Sequence, residues 1–85
     1  MDEIEVGTVN EFFARPVVAG ISLNWSIKLG DKIKIAGHTT NIEIIISSMQ
    51  INNKEVDVAI AGDEIGIKVP ERVRPGDKVY LVKMG

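Results

Sequence analysis

The chain has 85 residues, of which 45% are hydrophobic and 26% are charged, and this balance is typical of one soluble globular domain. Ten basic and twelve acidic side chains give a net charge of −2, which excludes tight nucleic-acid binding through bulk charge. Cysteine is absent and histidine occurs once, which excludes a disulfide framework, a thiol nucleophile and the usual zinc sites. We therefore predict a single domain over residues 1–85.

The first residues of the sequence, Met1–Glu5, are acidic where a signal peptide would be basic and apolar. Apolar runs are short, as at Ile44–Ile46. A membrane helix needs about 18 such residues. We therefore expect a cytoplasmic protein without a membrane partner.

The β-branched residues Ile and Val supply 23 of the 85 residues, and such side chains favour strands. Apolar residues recur with period two, which predicts strands with one buried face. In chain order, these stripes are Ile4, Val6 and Thr8, then Val17, Ala19, Ile21 and Leu23, then Ile33 and Ile35, then Ile42, Ile44 and Ile46, then Val56, Val58 and Ile60, then Ile65, Ile67 and Val69, and finally Val79 and Leu81. No stripe of helical period accompanies them, so the predicted class is all-β.

Three Gly-Asp pairs each precede a predicted strand, at Gly30-Asp31, Gly62-Asp63 and Gly76-Asp77. Glycine allows positive φ and aspartate accepts hydrogen bonds from nearby backbone amides, so each pair predicts a tight turn. One turn repeated three times explains these aspartates without assigning them a catalytic role.

Seven short strands in so small a chain leave exposed sheet edges unless the sheet closes on itself. We therefore predict a closed or nearly closed antiparallel Greek-key barrel of six to seven strands. Pro70 and Pro75 exclude a central strand between them, because proline cannot donate to a sheet ladder. That segment is expected to be a loop with at most one short helical turn.

The order of these turns resembles the second domain of elongation factor Tu and related translational GTPases. The resemblance rests on Val6–Val9, Leu29–Ile33, Ser48-Met49, Ala61–Gly66 and Val73–Asp77, and covers about residues 5–83. Within that group the chain is similar to stand-alone elongation-factor-like barrels. It is also similar to the barrel appended to peptidase-U32-type proteins, with which it shares Gly37–Thr40 and Ser48–Gln50.

The resemblance implies a barrel of the translation-protein domain 2 type without its GTPase domain. No phosphate-binding loop of the G-x-x-x-x-G-K-S/T type is present, so neither a nucleoside triphosphate nor another cofactor is expected. The sequence also contains no Ser/His/Asp order with a nucleophile turn. We therefore predict that the protein is not an enzyme.

In elongation factors this barrel contacts the 3′ end of charged tRNA, and the corresponding positions here are Gln50, Ile51, Asn52, Asn53 and Glu64. Two departures from the family pattern weaken that implication. The usual acidic residue and basic stretch are replaced by Gln50 and Asn52-Asn53, and Glu64 would repel phosphate. Asn52-Asn53 also fits a plain hairpin turn, because Asn tolerates left-handed φ.

Other candidate nucleic-acid contacts are the basic residues Lys68, Arg72, Arg74 and Lys78, together with His38. Acidic residues among the basic ones favour the alternative interpretation of a solvated, charge-compensated loop. His38 could donate to phosphate or simply complete a turn. Of the adjacent pair Phe12-Phe13, only one can face the core on a regular strand, and Trp25 would partly shield the end of the barrel.

Two functions remain open. The first is a translation-factor-like binding module that contacts tRNA, ribosomal RNA or a ribosome-associated protein. The second is a protein-binding accessory barrel that acts in trans with a larger enzyme, either peptidase-U32-like or RNA-modifying. The resemblance to elongation factors favours the first function, and the net negative charge favours the second.

Overall fold

Ten β-strands and no helix make up residues 2–83, the part of the chain that the computed structural model describes. The strands are β1 (Asp2–Ala14), β2 (Val17–Leu23), β3 (Ile27–Lys28), β4 (Lys32–Ala36), β5 (Asn41–Ile45), β6 (Met49–Ile51), β7 (Lys54–Val56), β8 (Val58–Ala59), β9 (Glu64–Lys68) and β10 (Lys78–Lys83). The predicted all-β class is confirmed. Within these residues no helix is of the length and apolar character needed to cross a bilayer.

Eight strands form one antiparallel sheet in the order β5-β4-β10-β1-β2-β9-β6-β7, and β3 pairs with β8 in a separate ribbon. The edge strands β5 and β7 are not paired with each other, so the barrel is not closed by a continuous strand ladder. Loop hydrogen bonds connect the ribbon to both edges. The Gly30 N–H donates to the carbonyl of Ile46 after β5, and the Leu29 N–H donates to the carbonyl of Asp57 after β7, both at 2.9 Å.

The inner face of the curled sheet encloses one hydrophobic core, and most of the predicted stripes supply it. Ala19 and Ile21 of β2, Ile33 and Ile35 of β4 and Ile67 of β9 are each at most 1% exposed. The β-branched side chains pack on this pleated inner face, as their excess in the sequence predicts. The larger strand number reflects β6, β7 and β8, which are pieces of two or three residues separated by turns or bends.

The alternation predicted for β1 is wrong after Val6, because the strand contains two β-bulges. Its pairing register with β10 shifts between Glu5 and Gly7, and its register with β2 shifts between Val9 and Glu11. An extra residue at a bulge reverses the faces of the residues that follow it. Val9 is therefore buried in the core at 1% exposure, and Thr8 is only half-buried.

The stripe predicted at Val56, Val58 and Ile60 is wrong after Val56, which packs against the core. The chain bends at Asp57 between β7 and β8, and Ala59 is the residue that enters the core. Val58 and Ile60 consequently point outward with 56% and 58% of their surface exposed. A bend between two short strands breaks the continuity that a period-two pattern assumes.

The three Gly-Asp turns have the same geometry, as predicted. The glycines have φ values of 91°, 95° and 96° at Gly30, Gly62 and Gly76. The carboxylates of Asp31, Asp63 and Asp77 each accept a hydrogen bond from the backbone N–H three residues earlier, at 2.9 Å. These aspartates therefore shape turns, which accounts for their repetition.

Candidate functional site

Two glycines face each other across neighbouring strands on the outer surface of the sheet. Gly20 of β2 is paired with Gly66 of β9, and the row continues to Glu11 of β1 on one side and Gln50 of β6 on the other. Glycine in a strand interior often marks a place where another molecule approaches the backbone closely. Because neither glycine has a side chain, the middle of the row is lower than its ends, and the backbone there forms the floor of a groove.

The groove has a volume of about 660 Å³ and lies across β1, β2, β9 and the β6–β7 hairpin. It is lined by Asn10, Glu11, Phe13, Arg15, Pro16, Val18, Gly20, Ile21, Gln50, Asn52, Asn53, Glu64, Ile65 and Gly66. Its volume falls in the range of ordinary small-molecule sites, about 300–1,000 Å³. We refer to it as the glycine groove.

A hydrogen-bonded cluster of three polar side chains lies at one end of the glycine groove. Asn10 is the extra residue of the second bulge in β1, and its Nδ2 donates to Ser22 Oγ and, at 3.1 Å, to Glu64 Oε1. Ser22 Oγ lies 3.3 Å from the same Glu64 oxygen. The cluster holds the Glu64 carboxylate in place at the rim, where it can accept hydrogen bonds from a ligand.

The opposite end of the groove is apolar and basic. Phe13 is 50% exposed and is paired with Val18, which in turn is paired with Lys68 on β9. Phe12 packs against the core instead, so the prediction that only one of the two phenylalanines faces inward is confirmed. Arg15, in the turn after β1, adds a guanidinium to this end.

The side wall of the groove is the β6–β7 hairpin. Asn52 and Asn53 form its two-residue turn with φ values of 53° and 66°, and Ile51 is paired with Lys54 on either side. Both positive φ values are typical of a type I′ turn. The predicted hairpin turn is confirmed, and the same two side chains also line the groove.

Four of the five residues that the elongation-factor resemblance selects lie together in the glycine groove: Gln50, Asn52, Asn53 and Glu64. The fifth, Ile51, is half-buried and packs against the core. The grouping follows from β9 lying beside β6, which brings Glu64 and the hairpin to the same groove. Their role in binding stays a prediction.

None of the predicted basic residues lines the glycine groove. Lys78 Nζ lies 3.8 Å from Glu5 Oε2, and the Arg72 guanidinium lies 5.6 Å from the centre of the Phe12 ring. The Arg74 N–H donates to the Asp77 carboxylate, so Arg74 flanks that Gly-Asp turn. Lys68 lies on the outer face of β9, one pair beyond the groove floor.

The single histidine lies in the β4–β5 turn and does not line the glycine groove. His38 is exposed, and the neighbouring Gly37 packs so closely on the buried carboxylate of Asp77 that a side chain there would overlap it. The His38 turn and the Asp77 turn are therefore adjacent. Neither turn contributes a residue to the lining of the glycine groove, and whether the predicted residues share one binding surface stays a prediction.

The chemistry available in the groove is hydrogen bonding by amides and carboxylates. Glu11 and Glu64 outnumber the single guanidinium of Arg15, so the lining has a small net negative charge. Among residues 2–83, no group of three or more His, Cys, Asp or Glu is placed to hold a metal ion. The arrangement suits a polar ligand with hydrogen-bond donors better than a polyanion.

The sequence patterns did not indicate that Asn10, Glu11, Phe13 and Arg15 line a groove. Their position in the groove depends on the second bulge of β1, and no local sequence pattern predicts that bulge. A usable signal was present elsewhere, since glycine is depleted in strand interiors. Gly20 and Gly66 both interrupt predicted strands and together form the floor of the groove.

Comparison with known proteins gives sequence relatives that are much longer than this chain. The chain is 45% identical over 82 residues to a Methanocaldococcus jannaschii protein named as an uncharacterized protease, covering 95% of this chain and 20% of that protein. It is 35% identical over 80 residues to a collagenase of Porphyromonas gingivalis, covering 92% of this chain and 19% of the collagenase. The chain therefore spans about a fifth of the length of these relatives. No model of a known protein family matches the sequence.

Solved structures show the same fold. A crystal structure described as the C-terminal domain of a U32 peptidase from Geobacillus thermoleovorans superposes with a TM-score of 0.86. It is 17% identical in sequence, and the match covers 93% of this chain and 92% of that domain. The selenomethionine variant of that domain superposes with a TM-score of 0.84 at 18% identity. This chain thus has the fold of that C-terminal domain and is homologous to a segment of proteins named as protease and collagenase.

Proposed function

We propose that this chain is a non-catalytic accessory barrel that acts together with a larger U32-type protein. The observation that carries the proposal is the extent of the sequence match. The M. jannaschii protease aligns with 95% of this chain, yet four-fifths of the protease lie outside the alignment. One β-fold thus corresponds to about a fifth of a longer protein, as expected of a module within it.

The chemistry of the barrel supports a binding role. The polar side chains at the rim of the glycine groove, those of Asn10, Ser22 and Glu64, bond to one another. Such a cluster presents the oxygen atoms of Ser22 and Glu64 at the rim, where a ligand can donate hydrogen bonds to them. In this proposal the groove binds a ligand and the larger protein carries out any reaction.

A binding measurement tests the proposal. The purified chain is titrated by calorimetry into each full-length U32-type protein encoded by the organism that makes it. We expect a 1:1 complex with a Kd of about 10 µM or tighter, because interfaces of ordinary size range from micromolar to picomolar. Failure of every such protein to bind would contradict a role in trans.

The non-catalytic part is tested separately on the chain alone. Incubation with gelatin and casein should leave both substrates intact over the period in which the M. jannaschii protein is assayed in parallel. Cleavage by the purified chain that is abolished by Glu64→Gln would show that the barrel is itself an enzyme.

A translation-factor-like role in RNA binding is the second candidate. The observation in its favour is that Gln50, Asn52, Asn53 and Glu64 share one groove, as the elongation-factor resemblance implies. Few cations are available, so the affinity for tRNA should fall in the non-specific range, about 10⁻⁴ to 10⁻⁶ M, with a shallow salt dependence. An NMR titration of the labelled chain with tRNA at two salt concentrations measures both quantities.

The basic loop provides the decisive variant for that candidate. Arg72→Glu combined with Arg74→Glu reverses two charges outside the glycine groove. If these arginines contact phosphate, tRNA affinity should fall and the salt slope should become shallower. Unchanged affinity in a folded variant would make the loop a solvated surface and leave the accessory role as the preferred function.

A further inference from the structure

A second groove, formed by different residues, lies at the other end of β1. It has a volume of about 360 Å³ and is lined by Trp25 before β3, Val58 of β8 and the last described residues of β10, Leu81–Lys83. No residue lines both grooves. We call this one the tryptophan groove.

Two of the side chains that line the tryptophan groove are apolar and exposed. Trp25 is 48% exposed and Val58 is 56% exposed, whereas Ala59 beside Val58 is buried. The bend at Asp57 turns Val58 outward, so a β-branched residue is placed in solvent and an alanine in the core. Exposed apolar side chains gathered in one groove are typical of surfaces that contact another protein.

Charged side chains border the tryptophan groove. Lys28 Nζ lies 3.0 Å from Asp31 Oδ1, so these two residues compensate each other at one rim. Lys83 adds a positive charge at the end of β10. A partner surface that fits this groove is apolar in the middle and acidic next to Lys83.

The place of the groove in the fold indicates which partner that is. The start of β1 is paired with the end of β10, with Asp2 opposite Lys83 and Ile4 opposite Leu81. In the Geobacillus protein the equivalent fold is a C-terminal domain, so the rest of that protein enters it through the strand equivalent to β1. The tryptophan groove is therefore at the end of the barrel where, in that protein, the preceding polypeptide arrives.

We propose that the tryptophan groove is the surface on which this barrel docks against the body of a U32-type protein, the part that precedes the equivalent domain in the Geobacillus protein. The proposal rests on the proposed accessory function and assigns it a surface. Docking there leaves the glycine groove, at the far end of β1, open to its ligand. Trp25 supplies a large rigid anchor and Val58 the apolar contact beside it.

Thiol labelling in a chimera tests this assignment. This chain replaces the 82 aligned residues of the full-length M. jannaschii protein, and the cysteine-free sequence receives one thiol at a time, as Val58→Cys or Phe13→Cys. Phe13 is the matched control, because it is 50% exposed but lies in the glycine groove. Alkylation rates are read peptide by peptide by mass spectrometry in the chimera and in the isolated chain.

We expect the Val58→Cys thiol to react about tenfold more slowly in the chimera than in the isolated chain, and the Phe13→Cys thiol to react equally in both, because access controls the rate. Equal rates at Val58→Cys, or slowing at Phe13→Cys alone, would overturn the docking surface. That result would not affect a complex found by calorimetry in trans. Conversely, protection of Val58→Cys without a complex in trans would support the surface and reject only the role in trans.

Discussion

Gly20 lies directly opposite Gly66 on the outer face of the sheet, and this pair forms the floor of the larger groove. Neither residue has a positive φ, so their role is to leave space rather than to permit an unusual backbone. A Cβ at Gly66 would lie 3.3 Å from Val18 Cγ1, a methyl group that a small rotation can move. The groove thus stays open because Gly20 and Gly66 have no side chain to fill it.

Gly66→Ala should therefore be tolerated. Strand propensity favours alanine only slightly over glycine, and the contact with Val18 costs little, so we expect the free energy of unfolding to change by less than about 1 kcal/mol. Urea denaturation measures the change. The matched control is Gly7→Ala, because a Cβ there would lie 2.5 Å from the backbone carbonyl oxygen of Ser22. That variant should lose about 2 kcal/mol or more, since backbone cannot give way as a methyl group can. Equal effects of the two substitutions would contradict this account.

The three Gly-Asp turns should differ in their contribution to stability, although their hydrogen bonds have equal length. Asp77 is 5% exposed, whereas Asp63 is only half-buried. Asp77→Ala leaves the Arg74 N–H without its acceptor in a partly buried place, which should cost about 1–3 kcal/mol. Asp63→Ala should cost less, because water can reach the Ile60 N–H. Thermal unfolding of both variants ranks them, and the reverse order would refute the burial argument.

The Asn52-Asn53 turn is open to improvement. Asn53 has a φ of 66°, a conformation that glycine adopts without steric cost. Asn53→Gly creates the Asn-Gly pair preferred in type I′ turns and should stabilise the chain by a few tenths of a kcal/mol up to about 1 kcal/mol. Asn53→Val should destabilise it, since a β-branched residue is strained there. The midpoints of urea unfolding distinguish the three proteins.

The ion pair of Lys78 with Glu5 should contribute little to stability. Their side chains are 49% and 45% exposed, and their charged atoms are 3.8 Å apart. Exposed ion pairs contribute about 0–1 kcal/mol to stability. Lys78→Gln should therefore change the free energy of unfolding by less than about 1 kcal/mol. The same variant tests the RNA candidate, because loss of a phosphate contact made by Lys78 would reduce the salt slope of tRNA binding by about 1. No change in that slope would remove Lys78 from the candidate contacts.

Local sequence patterns were sufficient to predict the fold class, most of the core residues and the turns. Period-two stripes such as Ile65, Ile67 and Val69 need only the alternation of a strand to predict which side chains are buried. The three Gly-Asp turns and the Asn52-Asn53 hairpin are each complete within four residues. Their geometry depends on nearby backbone groups, and so the sequence alone predicts them.

The two grooves depended on tertiary structure. The bulges of β1 and the bend at Asp57 changed which residues face outward, and the bulges are shifts in the pairing register of β1 with its two neighbouring strands. Gly20 and Gly66 become a groove floor only because β2 and β9, 46 positions apart in the sequence at this pair, share one register. The neighbours of a residue in the sequence determine whether it lies in a strand. The pairing register with the partner strand determines which side chains lie beside it.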